Sequence, residues 1–302
     1  MMRVLLLGSS GQVGRALLAF KPAGYKLLVP GRSEVDYLQP ESITDYVLFH
    51  KPQLVINCAA YTAVDKAEAE TALCTRINSG ACEHLAKAAA AADAVLLHLS
   101  TDYVFDGLLD RPYNEEDSPA PLSVYGHSKW LGEQTIVANC AKHLIVRTSW
   151  IFDADSNNFV NTMLRLAASR SELRVVADQV GGPTPASELA RAIWQLARQS
   201  VERNGPWGVY HFSGQPFVSW YEFARSILTE AYRLCVIHQL PTITSISASE
   251  FGSPAQRPAN SRLDGSKIKA LYGVAAADWQ SELVNILKAK ARAVTSVTNP
   301  GC

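Results

Sequence analysis

Tyr125 stands four residues before Lys129 in the run Ser123-Val124-Tyr125-Gly126-His127-Ser128-Lys129, and no other tyrosine has a lysine at that spacing. Residues four apart on a helix share a face, so an ammonium can sit close to the phenol and favour its phenolate form. That makes the phenol usable as an acid or base near neutral pH. An isolated pair of this kind is more often an ordinary helix surface, so its weight depends on what surrounds it. Upstream, Gly8-Ser9-Ser10-Gly11-Gln12-Val13-Gly14 has the spacing G-x-x-G-x-x-G after a first apolar run. Such glycines allow a tight turn, let backbone approach a pyrophosphate and aim the positive end of a helix at it.

Other candidate groups fall at the ends of apolar runs. Leu27-Leu28-Val29 leads into Pro30-Gly31-Arg32-Ser33, with no carboxylate before Glu34 to hold a ribose hydroxyl. Arg32 instead suits a 2′-phosphate, which predicts a preference for NADP(H), and Asp36 is left to face the adenosine side. Asn57-Cys58-Ala59-Ala60-Tyr61-Thr62 ends another run in small residues, against which a cofactor ribose or nicotinamide could lie. Thr101, in Leu99-Ser100-Thr101-Asp102-Tyr103, would project from a sheet edge, where its hydroxyl can bond a substrate carbonyl beside Tyr125.

The elements that must position these groups are legible as an alternation. Val4-Leu5-Leu6-Leu7, Leu27-Leu28-Val29, Leu54-Val55-Ile56, Val95-Leu96-Leu97 and Leu144-Ile145-Val146 are short continuous apolar runs, suited to strands buried on both faces. Helix-like segments separate them at 13–19, 40–49, 71–92 and 124–141. The expected fold class is α/β: a Rossmann-type doubly wound parallel sheet over residues 1–150. Residues 151–290 read as a smaller, mixed α/β substrate-binding lobe interleaved with the first, and 291–302 as a flexible tail.

Composition narrows the function. With 48% hydrophobic residues, 302 residues can bury a large core, and 28 basic against 28 acidic residues leave no excess charge for nucleic acid. The six cysteines show no metal-ligand spacing and read as reduced thiols; with no secretory segment before Arg3 and no membrane-length apolar run, a cytoplasmic protein is expected. The histidines, His127 and His143 among them, have no paired carboxylate and receive no chemistry.

Together, the glycine loop, the strand-end Thr101 and the Tyr125–Lys129 pair resemble the extended short-chain dehydrogenase/reductase superfamily. Within it, five runs are similar to motifs of the dTDP-4-dehydrorhamnose reductase family: Gly11-Gln12-Val13-Gly14, Ala63-Val64-Asp65-Lys66-Ala67-Glu68, Ser100-Thr101-Asp102-Tyr103-Val104-Phe105, Arg147-Thr148-Ser149-Trp150 and Arg257-Pro258-Ala259-Asn260-Ser261. They span nearly the whole chain.

The resemblance implies reduction of the C4 ketone of dTDP-4-dehydro-L-rhamnose by NADPH, with NADH left open, in polysaccharide biosynthesis. It implies Thr101, Tyr125 and Lys129 as the catalytic set, with Tyr125 protonating the substrate oxygen and Lys129 holding the nicotinamide ribose and lowering the tyrosine pKa. Gly8, Gly11, Gln12, Val13, Gly14, Arg32, Asp36, Ala59, Ala60 and Tyr61 would join Tyr125 and Lys129 around the cofactor. Thr101, Asp102, Trp150, Asn158, Gln179 and Arg257 would line the nucleotide-sugar site; unaided, Trp150 reads as a core aromatic, and Asn158 and Gln179 as loop caps or bridges.

No metal is expected, since Ala16 stands where relatives with a magnesium-linked dimer carry a carboxylate; a homodimer of another kind stays open. Asp102 is followed by Tyr103 rather than Glu, so the acidic pair that related dehydratases use to remove water is missing. A reductase or epimerase-reductase for another 4-keto nucleotide sugar would share these catalytic residues. A noncatalytic NADP-binding regulatory subunit would be expected to have lost them.

Overall fold

The apolar runs become parallel strands: β1 (Met2–Leu7), β2 (Tyr25–Leu28), β3 (Leu54–Asn57), β4 (Val95–Thr101) and β5 (His143–Thr148). They form one sheet in a computed structural model that describes residues 1–298. A sixth strand, Gly208–His211, pairs in parallel with β5, so the spatial order is β2-β1-β3-β4-β5 and then 208–211. Both faces are covered, which explains the unbroken apolar runs. Val4, Leu6, Leu54 and Ile56 pack with helix α1 (Gln12–Ala19) and the helix Ala186–Arg203; Leu5, Leu7 and Val55 pack on the other face with helix α2 (Glu41–His50) and the helices Ala81–Ala91 and Val124–Asn139.

After β1 the chain moves to β2 on one side, then crosses back to β3 on the other. The sheet's switch point therefore lies between β1 and β3, where open α/β sheets bind ligands at the carboxyl ends of the strands. Cross-strand register brings those ends level: Leu7 pairs with Asn57, Asn57 with His98, and Thr101 with Thr148.

The segment expected as one helix over 71–92 is helical but contains a π-helical turn, Arg76–Gly80. Residues 209–212, expected within the smaller lobe, mostly fall in the sixth strand of the main sheet. A separate apolar cluster built from Phe152, Val160, Phe223, Ile227, Trp279 and Leu283 supports the second half of the chain. Beside it, Glu172–Val176 pairs in parallel with Thr242–Ile246. The last helix, Trp279–Thr298, runs past residue 290, where the tail was expected to begin; 299–302 lie outside the described residues. Among the described residues no helix is long and apolar enough to cross a membrane.

Candidate active site

The glycine loop links β1 to α1 at the switch point. A Cβ on Gly14 would lie 2.2 Å from Gly8 O, so this glycine is required by the protein's own packing. Gly11 differs: a Cβ there would meet only Gly8 O, at an ordinary 3.5 Å. Gly11 caps an α1 that carries no side-chain cap, leaving the helix's first N–H groups open to an anion. The loop therefore fits a dinucleotide diphosphate. The Val13 side chain is in the core, so only its backbone faces the loop. Gln12 Oε1 accepts from Asn158 Nδ2 at 3.2 Å, and Arg15 pairs with Asp153 at 2.9 Å, tying the loop to the second half of the chain.

Arg32 is exposed beyond β2 and carries no side-chain hydrogen bond or ion pair among the described residues. The Asp36 carboxylate accepts from Leu38 N at 2.9 Å within the turn leading into α2. Ala59 and Ala60 follow β3, and Tyr61 is held through its backbone: Asn78 Oδ1 accepts from Tyr61 N at 2.8 Å while Asn78 Nδ2 donates to Tyr61 O at 3.0 Å. Asn78 lies in the π turn and also donates to Ser128 Oγ, at 2.9 Å, on the helix that carries Tyr125. A π turn inside a helix often marks a functional site.

That helix starts at a Ser123 cap, whose Oγ accepts from Gly126 N at 3.1 Å. A Cβ on Gly126 would stand 2.2 Å from Tyr103 O, so the glycine lets the helix close onto the turn after β4. This brings the Tyr125 phenol beside the Thr101 hydroxyl. The Thr101 hydroxyl donates to Asp102 Oδ1 at 2.9 Å and accepts from Tyr103 N at 3.2 Å. Tyr103 sits edge-on to Tyr125, with ring centroids 5.9 Å apart.

The expected influence of Lys129 on the phenol is not among the interactions found at Tyr125 in this geometry. Lys129 Nζ donates to Leu99 O at 2.8 Å and lies 3.0 Å from His98 Nε2, both on β4. Burial pushes the Tyr125 phenol above its ordinary range, only partly offset by the Thr101 hydroxyl beside it, so its proton stays on through neutral pH. The helix does place both residues on one face.

Asp102 is 3% exposed, and its Oδ2 has no partner. Burial pushes its carboxyl up to about 7, with the neighbouring Ser261 and the Thr101 hydrogen bond acting the other way. Arg257 Nη2 forms a two-oxygen contact with Asp65 at 2.9 and 3.0 Å and the guanidinium lies beside Tyr103, while its Nη1 is buried without a partner among the described residues. Buried orphan polar atoms are uncommon enough to call for an explanation, and these two flank the Tyr103–Tyr125 pair.

The remaining expected residues are spread out. Trp150, with a left-handed φ of 46°, stacks on Trp220 at 3.4 Å between ring centroids. Asn158 caps the helix Phe159–Ala167, accepting from Asn161 N, and its amide hydrogens go to Asp153 and Gln12. Gln179 is 8% exposed with no side-chain hydrogen bond among the described residues. Asn57, Asn78 and His98 were missed as site residues. The signal for His98 was present: it is the one ring nitrogen donor or acceptor inside the apolar run Val95-Leu96-Leu97-His98-Leu99, which a buried strand does not hold without a partner.

This sheet order, with its glycine loop and a Thr–Tyr–Lys set at the carboxyl edge, is that of an extended short-chain dehydrogenase/reductase. A family model described as RmlD substrate binding domain matches residues 2–292. The chain is 42% identical over 289 residues to a dTDP-4-dehydrorhamnose reductase of Aggregatibacter actinomycetemcomitans, covering 95% of this chain and 98% of that one. It is 39% identical to a protein of the same name from Escherichia coli (strain K12), covering 92% and 95%. The crystal structure of dTDP-4-dehydrorhamnose reductase from Bacillus anthracis in complex with NADP superposes with a TM-score of 0.87 at 35% identity, over 95% of this chain and 99% of that one. The chain belongs to the dTDP-4-dehydrorhamnose reductase family.

Proposed function

We propose that this chain reduces the C4 ketone of dTDP-4-dehydro-L-rhamnose to dTDP-L-rhamnose with NADPH, in the supply of rhamnose for polysaccharide. The observation that carries the reading is the placing of Thr101 beside Tyr125 at the strand edge near the glycine loop, in a chain of this family. NADPH, when bound, supplies the hydride. The Gly11 turn and the open end of α1 hold its diphosphate, and Arg32 takes the 2′-phosphate.

Tyr125 gives its proton to the ketone oxygen as the carbon is reduced, a task suited to a phenol that burial keeps protonated. Thr101 bonds the same oxygen and fixes its position relative to the phenol. Arg257 turns its unpartnered Nη1 to the nucleotide-sugar diphosphate, and the Trp150–Trp220 stack forms an apolar wall for the sugar. Purified protein given enzymatically generated dTDP-4-dehydro-L-rhamnose is expected to oxidise NADPH and to yield dTDP-L-rhamnose on chromatography. Consumption of neither NADPH nor NADH would end this reading.

A further inference from the structure

A buried polar chain runs inward from Lys129, and its hydrogens do not balance if that lysine is charged. The Ala59 N–H, at 3.0 Å, and the Tyr37 hydroxyl, at 2.7 Å, both donate to Asn57 Oδ1. A backbone N–H can only donate, so the amide's orientation is set, and its Nδ2 is the end that faces His98 Nδ1 at 3.0 Å. His98 Nδ1 is thus an acceptor, and a neutral imidazole must carry its hydrogen on Nε2. That Nε2 lies 3.0 Å from Lys129 Nζ.

An ammonium has three donors and no acceptor, so a charged Lys129 would set N–H against N–H. It would be left with one acceptor, Leu99 O at 2.8 Å, in a side chain only 2% exposed. A protonated His98 would make the clash worse. An uncharged amine removes the clash: it accepts from His98 Nε2–H and donates one of its two hydrogens to Leu99 O.

The other groups facing the amine do not restore the balance. The Cys58, Cys74 and Cys82 thiols surround it, and burial pushes all three above their ordinary values, so they stay neutral. Glu133, on the same helix, is engaged by Arg147 of β5 at 2.6 Å. Burial also lowers the proton affinity of both Lys129 and His98.

We propose that Lys129 rests uncharged in this position, held by the Nε2–H of His98 whose tautomer Asn57 sets, and that it becomes an ammonium only on exchanging His98 for oxygen acceptors at the sheet edge. His98 and Asn57 are then positioning residues. The balance is simple: the amine lone pair takes a proton from solvent as the His98 contact breaks, and no other bond changes. The uncharged state stands on the contacts of Lys129, His98 and Asn57; its coupling to ligand rests on the dinucleotide-reductase reading above.

Two measurements test this. Long-range ¹H–¹⁵N spectra of ligand-free, ¹⁵N-histidine-labelled protein, with His98 assigned by its loss in His98→Gln, should show His98 as the Nε2–H tautomer from pH 6 to 9. An Nδ1–H tautomer or an imidazolium would overturn the proposal. Calorimetric titration with NADP⁺ at pH 8, in buffers of different ionisation enthalpy, should reveal proton uptake by wild type.

Asn57→Asp should abolish that uptake, because its carboxylate accepts from Nδ1–H and turns Nε2 into an acceptor for the ammonium. If that variant does not fold, His98→Gln supplies the same comparison through its amide oxygen. Wild-type binding without proton uptake would also overturn the proposal. Failure to bind NADP⁺ at all would instead count against the dinucleotide reading and leave the tautomer result to stand.

Discussion

Tyr125 and Asp102 both adjoin the Thr101 hydroxyl, and burial raises the proton affinity of both. Replacing Tyr125 by Phe removes the proton donor while keeping the ring that meets Tyr103. The expected loss is roughly 10²–10⁴-fold in kcat, with NADPH affinity, read by fluorescence titration, little changed. Asp102 carries a stability signature. Its folded carboxyl titrates near 7 against an ordinary 3.8, so the folded chain binds this proton more tightly than the unfolded chain. The associated stability is complete at low pH and is lost as pH rises from about 4 through 7. Denaturant melts from pH 5 to 8 should show wild type losing stability relative to Asp102→Asn; parallel curves would refute the assignment. Arg32→Ala should cut the preference for NADPH over NADH by about tenfold or more, the value of a charge-assisted bond, read from the ratio of kcat/KM values.

Among the elements, the glycine loop separates what the fold needs from what a ligand needs. Gly14→Ala drives a Cβ into Gly8 O and is expected to lower the melting temperature. Gly11→Ala meets only an ordinary contact, so it should leave the melting temperature almost unchanged yet weaken NADPH binding. Equal effects on both properties would contradict that division of labour. The loop was legible because spacing and position after an apolar run are local features, and so was the Tyr125–Lys129 face of the helix. The Lys129 environment was not. Its partners His98 and Leu99 lie on a strand about thirty residues earlier, and Asn57 reaches His98 from the neighbouring strand, 41 residues away. Only the strand register makes these groups neighbours.

For the whole molecule, the five early strands were readable because burial on both faces demands continuous apolar runs. The sixth strand was not placed, because Gly208–His211 reads like any short edge element until Val209 and Tyr210 are seen pairing with Ile145 and Val146. Beneath this edge, the Arg147–Glu133 pair, 4% and 1% exposed, ties β5 to the Val124–Asn139 helix, with His211 of the sixth strand 3.4 Å from the guanidinium. Glu133→Gln leaves a buried guanidinium short of its countercharge, and is expected to cost about 3–5 kcal/mol in urea unfolding.

The central claim is that this assembled edge moves a hydride to C4 of a nucleotide sugar and a proton from Tyr125 to its oxygen. The most direct test is turnover of dTDP-4-dehydro-L-rhamnose with NADPH carrying deuterium at C4 of the nicotinamide, on the face that transfers. The account predicts dTDP-L-rhamnose with one deuterium at sugar C4, and almost no product from Tyr125→Phe; an unlabelled product, or undiminished turnover by the variant, would contradict it.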